Sequence, residues 1–433
     1  MSPSPAGHAA GNRVVTQDFD GTWEQLQSLP LPPSSALAAR HHLDAVRAVR
    51  TAADGAHELL VAGRSRLTAD LRDELRAEGL AVVDVVDVGG SADTGDAADV
   101  GDTTGGPVEV TSPTTDREPV PGRVWLLTSG STGRPKRVAH TLDSLTTVGG
   151  DQPPRTWLCP YAHGAYAWWQ VVTLGLRHPG QDILFVEPDE LDTWPARALE
   201  VGVTAASGTP TFWRQALYRD PDAVAALPLE QVTLGGEPVD QAILTRLTEL
   251  FPAARVSWIY ASSEAGASIA VHDGLAGFPA AWLGRQQEGR ARLDVVDGEL
   301  VIASPRRGAG VDDVLRTGDR AEVVDGRVLL PGRVASDEIN VGGAKASAAQ
   351  VRAVLLDHPR VAWAAVRGRR APIVGSIVTA DVVPVRTDGP GTDPLTEADL
   401  SAWCTDRLPD HAVPRRVRFL DQIPIKESLK SDV

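Results

Sequence analysis

The chain has 433 residues, 42% apolar and 23% charged, values of an ordinary globular protein that exclude a wholly disordered chain and predict two or three domains. A formal net charge of −15 repels phosphate backbones and anionic lipid headgroups, so neither a nucleic-acid-binding nor a membrane-surface protein is expected. The two cysteines, Cys159 and Cys404, lie far apart in no metal-like spacing, which predicts neither a disulfide framework nor a zinc site and fits a reducing cytoplasm. In chain order, MSPSPAGHAAGNRV lacks an apolar stretch behind a basic start, so no export leader is expected, and residues 1 to 15 read as irregular. LDAVRAVRTAA and then RLTADLRDELRAEGLAVVDVVDV predict helices followed by a strand, because apolar residues recur at helical spacing and then alternate through valines. The Gly, Asp, Thr and Pro-rich stretch from Gly89 to Gly122 reads as an irregular loop. From Arg123 onward, VWLL and DILFVEP predict short strands between helical segments, hence an α/β core. Later, DGELVIASP, AEVVDGRVLLPG and PIVGSIVTADVVPV read as strands, with hairpin turns predicted at Asp297-Gly298 and Asp325-Gly326. A small α+β domain is expected after Arg333, and no run of residues is long and apolar enough to cross a bilayer.

The segment with the strongest chemistry is VWLLTSGSTGRPKR, residues 124 to 137. An apolar strand delivers Thr128, Ser129, Gly130, Ser131, Thr132 and Gly133, whose backbone N–H groups and hydroxyls can turn toward an anion, and Lys136 adds a compact positive charge. A Gly/Ser run is more often a plain surface loop; the strand before it and the Pro-Lys after it set this one apart. It is not a standard P-loop, because Pro135 stands five residues after Gly130 where that motif requires glycine.

TSGSTGRPKR resembles the signature of the adenylate-forming superfamily, which contains acyl- and aryl-CoA ligases, peptide-synthetase adenylation domains and luciferase, and further segments match it in order. The resemblance implies an α/β fold: a large multi-layer N-terminal adenylation domain over residues 1–331 and a small mobile α+β C-terminal lid over 332–433. LGGEPVD is similar to the turn flanking adenine, which implies nucleotide contacts at Gly236, Glu237 and Pro238. WIYASSEAG resembles the segment that places Tyr260 against adenine, Ser263 near the α-phosphate and Glu264 on Mg²⁺, residue types that suit a purine face and a hard cation. RTGD is similar to the ribose-binding Thr-Gly-Asp, implying Asp319 on the ribose hydroxyls, and the hinge-like segment from Gly332 implies Arg333 beside it. That hinge departs from the usual pattern, with Ala335 and Ser336 where Asp or Lys is common and Asn340 for a frequent Lys. IPIKESLKSDV resembles the closing Pro-x-x-x-x-Gly-Lys, with Leu429 for glycine and Lys430 as the implied catalytic lysine. PYAHGAYAWW is similar to the Pro-x-x-His segment lining the acid pocket, which makes His163 and Trp168 substrate candidates, whereas a lone His or Trp is more often structural.

The reaction implied is attack of an acid oxygen on the α-phosphorus of Mg·ATP, release of pyrophosphate, and transfer of the activated group to an acceptor, with coenzyme A as the default. RPKRVAHTL, YASSEAG and GFPAAWL resemble a short-chain branch of secondary metabolism that includes ATP-dependent diazotases, which activate nitrite and pass the nitrosyl group to an aromatic amine. A third reading is a non-catalytic ATP-binding homologue, motivated by the hinge and by Leu429. Against it stand Lys136, Glu264, Asp319, Arg333 and Lys430, all of the type the chemistry needs.

Overall fold

A computed structural model describes residues 9–86, 108–128, 135–371, 375–386 and 393–424. It is a mixed α/β protein with a large N-terminal and a small C-terminal domain. By contacts the chain forms two compact units: residues 1–207 with 261–266 and 306–311, and residues 208–260, 267–305 and 312–433.

In the first unit a six-stranded sheet runs in the order Val108–Thr111, Ala81–Val85, Ser34–Ala39, Glu58–Gly63, Arg123–Thr128, Lys136–Thr141. The four inner strands are parallel, and each edge strand is antiparallel to its neighbour. Ser34–Ala39 is buried throughout, as expected of a parallel strand covered on both faces. The helices His42–Ala52 and Ala69–Ala77 and the strand Ala81–Val85 form where the sequence periodicity places them. Leu67, Leu71, Leu75 and Leu80 pack with Ala36, Leu60 and Val82 in one apolar cluster. In a second parallel set, Arg155–Cys159 pairs with Gln181–Phe185, which pairs with Arg13–Val15.

Two segments read as irregular are partly strands. Val108–Thr111 pairs antiparallel with Ala81–Val85, and Arg13–Val15 lies beside Gln181–Phe185. Both are short, and their ladder partners come from distant chain, so tertiary pairing overrides a Gly/Pro-rich local composition.

In the second unit Gln231–Gly235 runs parallel to Arg255–Ser262. Hairpins form at Asp297-Gly298 and Asp325-Gly326, with φ values of 54°, 74°, 48° and 77°, the positive pair that a two-residue hairpin turn of matching twist requires. The C-terminal domain joins the strands Glu338–Val341, Ala344–Ser347, Val361–Ala371, Gly375–Pro384 and Arg416–Phe419 in one sheet, with helices Ala348–Leu356 and Glu397–Thr405. It has its own core, including Ile339, Val351, Leu355, Val378, Val382 and Leu400. Among the described residues no helix is long and apolar enough to cross a membrane, and both cysteines are buried and free.

Candidate active site

The first unit builds a phosphate-type hairpin. The strands Arg123–Thr128 and Lys136–Thr141 are antiparallel with Thr128 opposite Lys136, so the glycine-rich segment is the connection between them. Thr128 is half-buried and Lys136 exposed at the foot of that connection. Ser129, Gly130, Ser131, Thr132 and Gly133 lie outside the described residues, as does Lys430 at the far end of the chain.

The same hairpin holds the segment carrying Ser263 and Glu264. His140 is buried, which lowers its pKa, and its Nε2 bonds the Ser263 carbonyl at 2.7 Å while Nδ1 meets Ser144 Oγ at 2.9 Å. The Glu264 carbonyl accepts from Gly308 N at 2.9 Å, and Ala309 N donates to Ala139 O at 2.7 Å. A Cβ on Gly308 would lie 2.2 Å from Val138 Cγ1, so only glycine permits this approach. Thr128, Lys136, Ser263 and Glu264 therefore share one rigid strand pair and its attachments. The half-buried Glu264 carboxylate forms no ion pair among the described residues, which suits a metal ligand.

The second unit builds a nucleoside-type corner. Gly235 is in register with Ile259, so the Gly236-Glu237-Pro238 turn and Tyr260 leave the same end of two adjacent strands. Gly236 has φ +82°, and Glu237 Oε2 anchors the turn by accepting from Thr211 N at 3.0 Å. The Tyr260 hydroxyl donates to Asp319 Oδ2, and Arg333 Nε lies 3.0 Å from Asp319 Oδ1. Arg333 Nη1 also donates to Thr317 O at 2.8 Å. Burial first, and then the Asp319 charge, push the Tyr260 pKa up, so the phenol remains a proton donor.

His163 and Trp168 occupy a buried cluster of the first unit. Gly164 has φ +77°, and a Cβ there would lie 1.8 Å from Val61 O, so glycine lets the turn press His163 against the sheet. His163 bonds the Ala39 carbonyl and leaves Nε2 buried without a partner, while burial lowers its pKa to about 4. Its free nitrogen is thus a neutral acceptor. Trp168 is fully buried and donates Nε1–H to His42 Nδ1 at 3.1 Å. Glu187 Oε1 accepts from His42 N at 2.5 Å, and burial raises the Glu187 pKa to about 7.

Ligand atoms of His42, His163 and Glu187 lie within 4.8 Å of one another, the spacing of a potential metal group. His42, however, accepts the Trp168 N–H and also bonds the Val186 carbonyl, so its ring has no uncommitted lone pair and the trio is a hydrogen-bonded cluster. Sequence reading missed His42 and Glu187, because a His and a Glu in otherwise apolar segments carry no motif.

A hairpin with Lys136 at its foot, the Glu264 segment bonded to that hairpin and an acid between Tyr260 and Arg333 are thus set in a protein of mixed α/β type. Residues 36–306 match the model of the AMP-binding enzyme family and residues 350–430 that of the AMP-binding enzyme C-terminal domain; the chain belongs to this family, within the adenylate-forming superfamily. It is 27% identical over 338 residues to a 2-succinylbenzoate–CoA ligase of Bacillus cytotoxicus, covering 70% of this chain and 67% of that one. A 4-chlorobenzoate–CoA ligase of Arthrobacter is 30% identical over 266 residues, 54% of this chain and 49% of the relative. Among solved structures, the anthranilate CoA ligase AuaEII in complex with anthranoyl-AMP has a TM-score of 0.71 at 17% identity, covering 98% of this chain and 93% of that one. The amide bond synthetase McbA from Marinactinospora thermotolerans has a TM-score of 0.66 at 22% identity, covering 98% and 96%. These likenesses establish the fold.

Proposed function

We propose that the protein is an ATP-dependent ligase that adenylates a small carboxylic acid, releases pyrophosphate and passes the acyl group to coenzyme A. The observation that carries this reading is the Tyr260–Asp319–Arg333 corner, a carboxylate held between a phenol and a guanidinium beside the end of the strands that carry the Gly236–Pro238 turn. The ligase names of the aligned relatives support the acid and the acceptor.

In this reading the Gly236–Pro238 turn and Tyr260 hold adenine, Asp319 and Arg333 the ribose, and the 128–133 loop with Lys136 the phosphates. Ser263 lies near the α-phosphate. Glu264 holds Mg²⁺, which supplies charge neutralisation when bound. An acid oxygen attacks the α-phosphorus in line; the bond to the bridging oxygen of pyrophosphate breaks, and its electron pair leaves with pyrophosphate. Lys430 meets the negative charge that develops, a contribution of the kind worth about 3–4 kcal/mol. The acceptor thiol, losing its proton, then attacks the acyl carbon and expels AMP. His163 and Trp168 border the acid, and residues 332–433 act as the lid that changes position between the two steps.

The test is pyrophosphate release from Mg·ATP across 2-succinylbenzoate, 4-chlorobenzoate, anthranilate and malonate, with Lys430→Ala as control. Nitrite, with and without an aromatic amine, forms a separate arm. Release with a carboxylate, lost in the control, supports the ligase. Release with nitrite alone replaces the carboxylate reading with the diazotase one, and silence in every arm removes adenylation.

A further inference from the structure

Asp240 closes the Leu234–Asp240 turn and holds the arginine that reaches the C-terminal domain. Its Oδ1 caps the helix Gln241–Leu250 by accepting from Ile243 N at 3.1 Å, directly after the Leu234–Asp240 turn. Arg214, 7% exposed, clamps both of its oxygens, Nη2 lying 2.6 and 2.8 Å from Oδ1 and Oδ2. The other Arg214 nitrogen, Nη1, donates across to the Ala362 carbonyl of the C-terminal domain at 3.3 Å. Arg352, on the helix Ala348–Leu356 of that domain, donates Nε to Ala364 O at 3.1 Å. Burial opposes ionisation of Asp240, but the charges of Arg214 and then Arg352 outweigh it and hold the carboxyl below its ordinary pKa.

Around this polar centre lies a small apolar seal. Trp363, Ala365, Val383 and Ile423 cluster with the partly buried Tyr218, and the Tyr218 hydroxyl donates to Asp421 O at 3.0 Å. Trp363 is 1% exposed. Arg214 and Tyr218 lie on one helix, Pro210–Arg219, so the same element supplies an ionic and an apolar contact to the C-terminal domain.

We propose that Asp240 is a positioning residue that latches the C-terminal domain to the nucleotide turn through Arg214. The two-oxygen clamp on Nη2 fixes the Arg214 guanidinium so that Nη1 reaches the Ala362 carbonyl, and loosening the clamp therefore weakens docking of the domain. Because the same carboxylate caps the helix that follows the turn, domain release and nucleotide binding are coupled, and the coupling is reciprocal. This rests on the two-step reaction proposed above only for its kinetic consequence. The latch itself rests on the geometry.

The experiment is hydroxyl-radical footprinting read residue by residue by mass spectrometry, on the wild type, Arg214→Met and Asp240→Asn. Oxidation of Trp363 should rise by about fivefold or more in either variant as the docked population falls. Trp403, whose Nε1 donates to Val354 O inside the C-terminal domain at 2.8 Å, should stay unchanged. Protection of Trp363 equal to wild type in both folded variants overturns the latch, as does a parallel rise at Trp403, which would mean unfolding rather than undocking. Arg214→Lys should restore part of the protection. In kinetics, Arg214→Met should change the ratio of the ATP–pyrophosphate exchange rate to the acyl-transfer rate by roughly tenfold, whereas equal loss of both would mark a merely structural residue and also overturn the proposal. A wild type silent in exchange with every acid removes the functional reading, and the footprint still decides the latch.

Discussion

The nucleoside corner of the second unit and the histidine cluster of the first handle buried polarity in opposite ways. At the corner, Asp319 is matched by Tyr260 and Arg333, so the charge is compensated before a ligand arrives. In the cluster, Glu187 is nearly excluded from water and pushed toward the neutral form, and His163 keeps an unpartnered nitrogen. The first arrangement suits recognition of a constant group, the ribose. The second leaves an acceptor unanswered beside the segment assigned to the variable acid, which suits a group that the substrate completes.

The largest effect expected from breaking this contrast lies outside both regions. Lys430→Ala should lower the adenylation rate on the order of a hundred- to thousandfold with little change in ATP affinity, measured by single-turnover pyrophosphate release. Glu187→Gln probes the cluster. The folded-state pKa is about 7 against an ordinary 4.5, so the wild type holds full stability from this group below pH 4.5 and loses it as pH rises through 7. The amide should therefore be more stable than wild type at pH 8, by up to ~3 kcal/mol, and indistinguishable at pH 4, measured by urea unfolding at both pH values.

Asp319→Ala probes the corner: it removes the proposed ribose acceptor and the ionic partner of Arg333, so kcat/KM for ATP should fall on the order of 10- to 100-fold while KM for the acid holds. The smallest effect is expected for Trp168→Phe, which leaves His42 Nδ1 unpaired for about 1–2 kcal/mol of thermal stability, with activity largely kept. A large loss of acid specificity in that variant would instead place Trp168 on the substrate.

The corner's residues were legible in the sequence because RTGD and WIYASSEAG carry recognisable residue types at fixed short spacings, and the structure brings Tyr260, Asp319 and Arg333 together. The hairpins were legible for a similar reason, since Asp-Gly at 297 and 325 encodes its own backbone conformation. The cluster was not, because His42 and Glu187 are 145 residues apart and meet only through the sheet. The Arg214–Asp240 clamp was hidden likewise, as its two members lie in separate helical segments and carry no motif. The strand Val108–Thr111 escaped notice because its ladder partner, not its own neighbourhood, makes it a strand.

The central claim, attack of an acid oxygen on the α-phosphorus, is tested most directly by isotope transfer. The panel acid that releases most pyrophosphate would be prepared with ¹⁸O in its carboxylate and turned over with Mg·ATP and coenzyme A, and AMP and pyrophosphate analysed by mass spectrometry. The account predicts one ¹⁸O in AMP and none in pyrophosphate. Label in pyrophosphate or inorganic phosphate, or unlabelled AMP, would contradict it.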